Sequence, residues 1–145
     1  MSPARIGRPL VVMVGCFVLA TASQCARRTT FTEVPVDAVI DVDARKVTPD
    51  PLLLRYDKAD GTTDFAHWQL KSPHTETFIV RFKPDPSGNC KNNKPLDPPD
   101  CNGNPQKECK TKGVKKEHRG CHKYSVIIWK SDGFIEIDPQ VNVDP

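Results

Sequence analysis

The sequence predicts an all-β protein, an antiparallel Greek-key sandwich carrying one long disulfide-stapled loop. Three observations point there. Apolar residues recur with period two through most of the chain. Turn signals separate these runs at short intervals. No amphipathic helix of useful length, internal repeat or heptad pattern appears.

The first strand is read at Val36, Ala38, Ile40 and Val42, alternating with Asp37, Val39, Asp41 and Asp43. One face is apolar and the other acidic. Val47-Thr48-Pro49-Asp50-Pro51 breaks the pattern, because two prolines so close exclude a central strand. Leu52 to Tyr56 is a short apolar strand, followed by a turn at Asp60-Gly61 and another strand at Ala66 to Leu70. After the turn Ser72-Pro73-His74, Phe78, Val80 and Phe82 share one face of a strand from Thr77. Tyr124 to Ile137 reads as a hairpin about Ser131-Asp132-Gly133. Asp138-Pro139 interrupts it, and Val141 to Val143 forms a short last strand. The expected core draws on Val36, Ile40, Leu53, Trp68, Phe78, Val80, Phe82, Val126, Ile128, Ile135 and Ile137.

Between the last two strand regions the composition changes. Residues 83–121 are rich in Pro, Gly, Asn and Lys, with Leu96 and Val114 as isolated apolar residues. Connections in compact domains usually run to about 4–6 residues, so this segment needs another source of order. Cys90, Cys101, Cys109 and Cys121 supply one. In an exported chain an even cysteine cluster reads as disulfides. Four cysteines allow three connectivities, and sequence does not choose among them. Nesting is favoured, with Cys90–Cys121 outside and Cys101–Cys109 inside, because the outer pair lies near the ends of the flanking strands. Closing a loop of that length contributes roughly 3–4 kcal/mol in the chain-entropy model.

Export is expected from the first 26 residues, read as a secretory signal. Arg5 and Arg8 precede the apolar run Leu10 to Ala20, which is too short for a bilayer span of about 20 residues. Ala20-Thr21-Ala22 offers a small-x-small cleavage pattern. Residues 27–145 then form one domain, with 83–121 as its basic Pro/Cys-rich loop insertion. Cys16 leaves with the signal. Cys25 is left over: it is the lipidation candidate if it begins the mature chain, although Gln24 is a poor match to a lipobox; otherwise it is removed or lies in the tail. Both methionines, Met1 and Met13, fall in the signal. Localisation is expected to be periplasmic or extracellular, with the membrane reached only through that lipid anchor.

Several stretches resemble small exported bacterial proteins of cupredoxin-like fold. They are Val47 to Pro51, His67-Trp68, His74 to Phe78, and the closing region Lys123 to Ile128 and Ile137 to Val141. The resemblance implies a cupredoxin-like sandwich, with an immunoglobulin-like one as the alternative. Copper is not expected. Such sites use two His, one Cys and a weak axial ligand, usually Met, and the mature chain has no Met and no second His at ligand spacing from Cys121.

The remaining candidates are weighed on chemistry. The Cys gaps do not fit the C-x2–4-C pairs of structural zinc sites, so no metal is expected at Cys90, Cys101, Cys109, Cys121, His118 and His122, and no cofactor elsewhere. Residues 83–123 hold ten basic against five acidic residues. Lys107, Lys110, Lys112, Lys115, Lys116, Arg119 and Lys123 are candidates for an anion-binding surface. They lack the interleaved aromatics of a single-strand nucleic-acid platform, and export argues against nucleic acid. His67 and His74, near Asp64 and Glu76, are read as ordinary strand and turn residues, and no serine elbow accompanies them. Asp37, Asp41 and Asp43 read as a solvated sheet face in preference to a calcium site. The function expected is a non-enzymatic exported binding module, with loop 83–121 as the recognition surface for a protein or polyanionic ligand. The alternative is an envelope redox protein or enzyme using the loop cysteines or histidines, including a degenerate metal site.

Overall fold

The computed structural model describes residues 31–90 and 96–144. The expected signal segment 1–26, with Cys16 and Cys25, lies outside the described residues. Nine strands form two sheets: β1 (Thr32–Asp41), β2 (Lys46–Thr48), β3 (Leu52–Arg55), β4 (Thr62–Leu70), β5 (Thr77–Lys83), β6 (Glu108–Lys110), β7 (Gly120–Lys130), β8 (Gly133–Ile137) and β9 (Gln140–Asp144). The first sheet runs β2-β1-β4-β6, and the second β3-β9-β7-β5 with β8 also on β7. Every connection from β2 to β7 therefore passes from one sheet to the other, which makes a β-sandwich.

Alternation along the strands produces this arrangement. Ala38 and Ile40 on β1, Ala66 and Trp68 on β4, and Tyr124, Val126 and Ile128 on β7 are buried. They meet Leu52, Leu54, Phe78, Val80, Val141 and Val143 in one apolar cluster. The rings of Trp68 and Tyr124 pack edge-on with centroids 5.4 Å apart, and Phe82 closes on both. Leu53 is a correction: it is 40% exposed, whereas Leu52 and Leu54 are buried. With three consecutive leucines the pattern does not show which face points inward, and a slip of one residue inverts the choice.

Five ladders are antiparallel as expected, but β1–β4 and β3–β9 are parallel. The chain leaves the first sheet after β2, passes through β3 in the second, and returns to β4 in the direction of β1. The closing hairpin is as read, except that β7 begins at Gly120 instead of Tyr124. Its first four residues pair with β9 and its last five with β8. Both partners keep one register, so β8 and β9 are a single course interrupted at Asp138-Pro139. Tyr124 N–H donates to the Pro139 carbonyl at 3.2 Å across the break.

The long segment is not laid over the outside of this framework. Leu96, Cys101, Cys109 and Val114 belong to the core cluster. Phe78 and Gln106 exchange both backbone hydrogen bonds, at 2.8 and 3.0 Å, on the β5 edge of the second sheet. Two residues later β6 pairs with β4 in the first sheet. Residues 106–110 thus cross from one sheet to the other and close that side of the sandwich. Apolar periodicity does not reveal this crossing, because Cys109 is the one buried side chain of residues 106–110.

Candidate binding surface

The approach to the first disulfide is ordered by one carboxylate. Asp85 Oδ1 accepts from Ser87 N–H at 3.0 Å and Ser87 Oγ–H at 2.6 Å, and Oδ2 accepts from Cys90 N–H at 2.7 Å. These donors, Ser87 first, hold its carboxyl down at about 2. Cys90 is bonded to Cys121 at the start of β7, with Cα atoms 4.8 Å apart. Cys101 is bonded to Cys109 on β6, with Cα atoms 5.4 Å apart. The connectivity is the nested one. Asp100, Cys101 and Cys109 place their ligand atoms within 4.8 Å of one another, but the two sulfurs are bonded to each other and offer no thiolate.

From β6 onward the segment continues as the edge of the first sheet. Thr111 N–H donates to the Ala66 carbonyl at 3.0 Å, Ala66 N–H donates to Thr111 Oγ1 at 3.0 Å, and Val114 N–H donates to the Asp64 carbonyl at 2.8 Å. Cys109, Thr111 and Gly113 point inward and are buried; Glu108, Lys110 and Lys112 point outward and are exposed. This is period-two alternation written in small and charged residues. Apolar periodicity alone does not reveal such a strand.

The seven basic candidates do not form one patch. Lys110 and Lys112 follow the β4 edge, Lys115 and Lys116 come next at the start of a short 3-10 turn (Lys116–His118), and all four are exposed. Lys110 and Lys112 stand about 7 Å apart at strand spacing. Lys107 lies at the far end, against a groove shared with Gln69, His74 and Glu76. Lys123 lies on β7 in the other sheet, opposite Lys83 of β5, and Arg119 is exposed just before that strand. None of the seven has a carboxylate of the described residues within 4.0 Å, whereas Lys58, Lys71 and Lys83 are each ion-paired.

A cleft of about 330 Å³ opens at the Lys115 end of the row. Phe31, Tyr56 and Val114 give it apolar walls, and Glu33, Asp57, Lys115 and Lys116 line it as well. A Cβ at Gly113 would stand 2.8 Å from both Glu33 Oε1 and Thr63 Cγ2, so any larger residue requires these neighbours to shift. The Gly113 N–H donates to Glu33 Oε1 at 3.0 Å.

The outer face of the first sheet is a ladder of paired charges. Asp37 Oδ1 accepts from His67 Nδ1–H at 2.8 Å. Asp41 Oδ2 accepts from Lys71 Nζ at 2.8 Å. Asp43 Oδ2 lies 3.3 Å from His74 Nε2. Asp37, Asp41 and Asp43 thus each meet a base from β4 or the turn after it. His67 pairs across strands and not with its sequence neighbour. Its partners are Asp37 and Glu108, on the neighbouring strands, and not Asp64. Asp64 is buried, accepts from Arg55 N–H at 2.8 Å, and is ion-paired with Lys58 at 2.6 Å. His74 does lie near Glu76, at 3.4 Å.

His118 and His122 serve the interior. His118 Nδ1 accepts from Lys115 N–H at 3.2 Å, and His122 Nε2–H donates to the His118 carbonyl at 2.6 Å. Burial pushes the His122 imidazole below its usual pKa. Comparisons with protein-family models, curated proteins and solved structures find no match for this chain.

Proposed function

We propose that this protein is a non-enzymatic binding module that works outside the cytoplasm and holds a polyanionic polymer or surface. Two disulfides are compatible with an extracytoplasmic location. The observation that carries the reading is the row Lys110, Lys112, Lys115 and Lys116. These are exposed cations without carboxylate partners among the described residues; the backbone carrying Lys110 and Lys112 is hydrogen-bonded to β4 and stapled by Cys101–Cys109, and Lys115 and Lys116 are held in the short 3-10 turn that follows. Cations so fixed lose little backbone entropy when a ligand arrives. Lysines on an edge strand also discourage pairing with another sheet, and that role is compatible with binding.

The redox alternative needs a disulfide that an attacking thiolate reaches. Both sulfurs of Cys101–Cys109 are buried, which supports a structural staple there; Cys90–Cys121, with Cys121 half-buried, is the bridge a redox reading would have to use. The cupredoxin-like kinship of the closing hairpin remains part of the proposal. So does the choice between release and a lipid tether at Cys25, which intact mass of the exported protein decides.

Heparin, as a sulfated polyanion, is the probe. The protein should be retained on it at low salt and elute as salt screens the charges. Lys112→Glu, Lys115→Glu and Lys116→Glu together should abolish retention, while Lys130→Glu on the distant hairpin should not. Absence of salt-dependent retention in the unaltered protein would overturn the reading.

A further inference from the structure

We propose that His67 and Glu108 form a two-ligand site for a divalent first-row transition ion such as zinc, with Asp37 as the outer partner that orients the imidazole. The argument starts from the strands. His67 lies on β4, between β1 and β6. Asp37 stands directly opposite it on β1, and Glu108 sits on β6 opposite Gln69. All three side chains are therefore placed by backbone ladders, without a mobile loop to set their spacing.

The tautomer follows from the contact. An ionised carboxylate only accepts, so the 2.8 Å contact to Asp37 puts the proton on Nδ1. In the neutral imidazole this leaves the Nε2 lone pair facing the other way, toward Glu108. Metal-binding histidines are commonly held in this manner, with the distal ring N–H given to a carboxylate that fixes the ring and raises its basicity.

The second distance separates a metal pair from a hydrogen bond. Nε2 and Glu108 Oε2 are 3.6 Å apart, longer than an N–H···O bond of about 2.7–3.2 Å. Two ligands each about 2.0–2.2 Å from one zinc ion stand roughly 3.4–3.6 Å apart at tetrahedral to trigonal angles. The separation thus suits an ion between the two atoms. A groove of about 340 Å³, bordered by Pro35, Phe65, Gln106 and Lys110, leaves room for water to complete the coordination. The His67 side chain is 23% exposed and within reach of solvent.

Charge agrees. Asp37 and Glu108 contribute two negative charges, and Lys110, opposite His67 in the ladder, returns one. The lysine stem lets that ammonium stay in water. His74 is the natural comparison and is built differently. Its Nε2 faces Asp43 at 3.3 Å, and the Glu76 Oε2 that its Nδ1 faces at 3.4 Å already accepts from Thr75 N–H at 2.9 Å, so that carboxylate oxygen is engaged by the backbone. The site does not depend on polyanion binding, which is read separately by heparin retention.

The test is calorimetric titration of zinc chloride into the exported protein at pH 7.5, with histidine 15N spectra of the same samples. One ion per chain should bind, and the Nε2 resonance of His67 should move while Nδ1 stays protonated. His67→Gln and Glu108→Gln should each weaken binding at least about 10-fold, and Asp37→Asn about 10–100-fold. His74→Gln should change nothing. Glu108 is 73% exposed, so its substitution reports on the site without threatening the fold. No saturable binding, unchanged affinity in His67→Gln or Glu108→Gln, or a His67 found doubly protonated between the two carboxylates at that pH would each overturn the proposal.

Discussion

The indole Nε1–H of Trp68 donates to the Tyr124 hydroxyl at 3.2 Å, joining β4 of one sheet to β7 of the other inside the core. Both residues are fully buried, so neither polar group has water as a substitute. Burial also pushes the Tyr124 phenol well above its ordinary pKa, and the hydroxyl stays protonated where an exposed tyrosine ionises. Tyr124→Phe keeps the ring but strands the indole donor. It should cost about 1–3 kcal/mol, read as a lower urea midpoint with an unchanged slope and a shifted Trp68 near-ultraviolet signal.

Gly113 tests the edge that carries the lysine row. Its Cβ would meet the Glu33 carboxylate and the Thr63 methyl at 2.8 Å. Both neighbours are held: Glu33 Oε1 accepts from Gly113 N–H at 3.0 Å, and Thr63 Oγ1–H donates to the Val114 carbonyl at 2.7 Å. Gly113→Ala should therefore force the segment off β4 and destabilise by about 1–3 kcal/mol. Hydrogen exchange should show the loss first at the amides of Thr111 and Val114.

The sandwich was legible because β1, β5 and β7 write their alternation in Val, Ile, Phe and Tyr, which periodicity detects. The β4 strand was legible only in its second half; Thr62 to Phe65 carries a buried Thr63 and Asp64 that look like turn residues in sequence. The long segment was legible as cysteines but not as a sheet edge. Its inward positions are Cys109, Thr111 and Gly113, and at Gly113 the backbone lies close to Glu33 and Thr63. The paired ladder of the β1 acids was out of reach for another reason. Asp37, Asp41 and Asp43 meet residues about 30 positions away, and the parallel register of β1 with β4, which sets Asp37 opposite His67, has no local signature in the sequence.

His122 should make stability fall in mildly acidic solution. It is 1% exposed, and burial lowers its pKa below the ordinary value of 6.5. Below that value the unfolded chain binds a proton that the folded one resists, so the contribution is full above about pH 6.5 and is lost as pH falls through the folded pKa. Carboxylates act in a lower window. Asp85, held at about 2 by Ser87 and Cys90, and Asp138, lowered chiefly by Lys83, lose their contributions only below their ordinary 3.8. Urea midpoints between pH 7.5 and 5 should drop in the unaltered protein. His122→Gln should flatten that drop and leave the fall below pH 4 in place.

The two disulfides should open in a fixed order. Cys101 and Cys109 are 0% and 1% exposed inside the core cluster, whereas Cys121 is half-buried at the start of β7. Thiol exchange needs access to a sulfur, so a mild reductant should open Cys90–Cys121 while the fold persists. Cys101–Cys109 should yield only with global unfolding. Alkylation and mass mapping along a reductant series read this directly, and earlier labelling of Cys101 or Cys109 would contradict it. The loops closed differ as well, with separations of 31 and 8 residues. In the chain-entropy model these correspond to about 3.7 and about 2.5 kcal/mol. Removing Cys90–Cys121 by a double Ala substitution should thus lower stability by roughly the first amount and leave heparin retention intact. Removing Cys101–Cys109 should cost at least the second amount, and more where the buried sulfurs leave a cavity. It should also weaken retention, because it frees β6, the strand from which the lysine row starts.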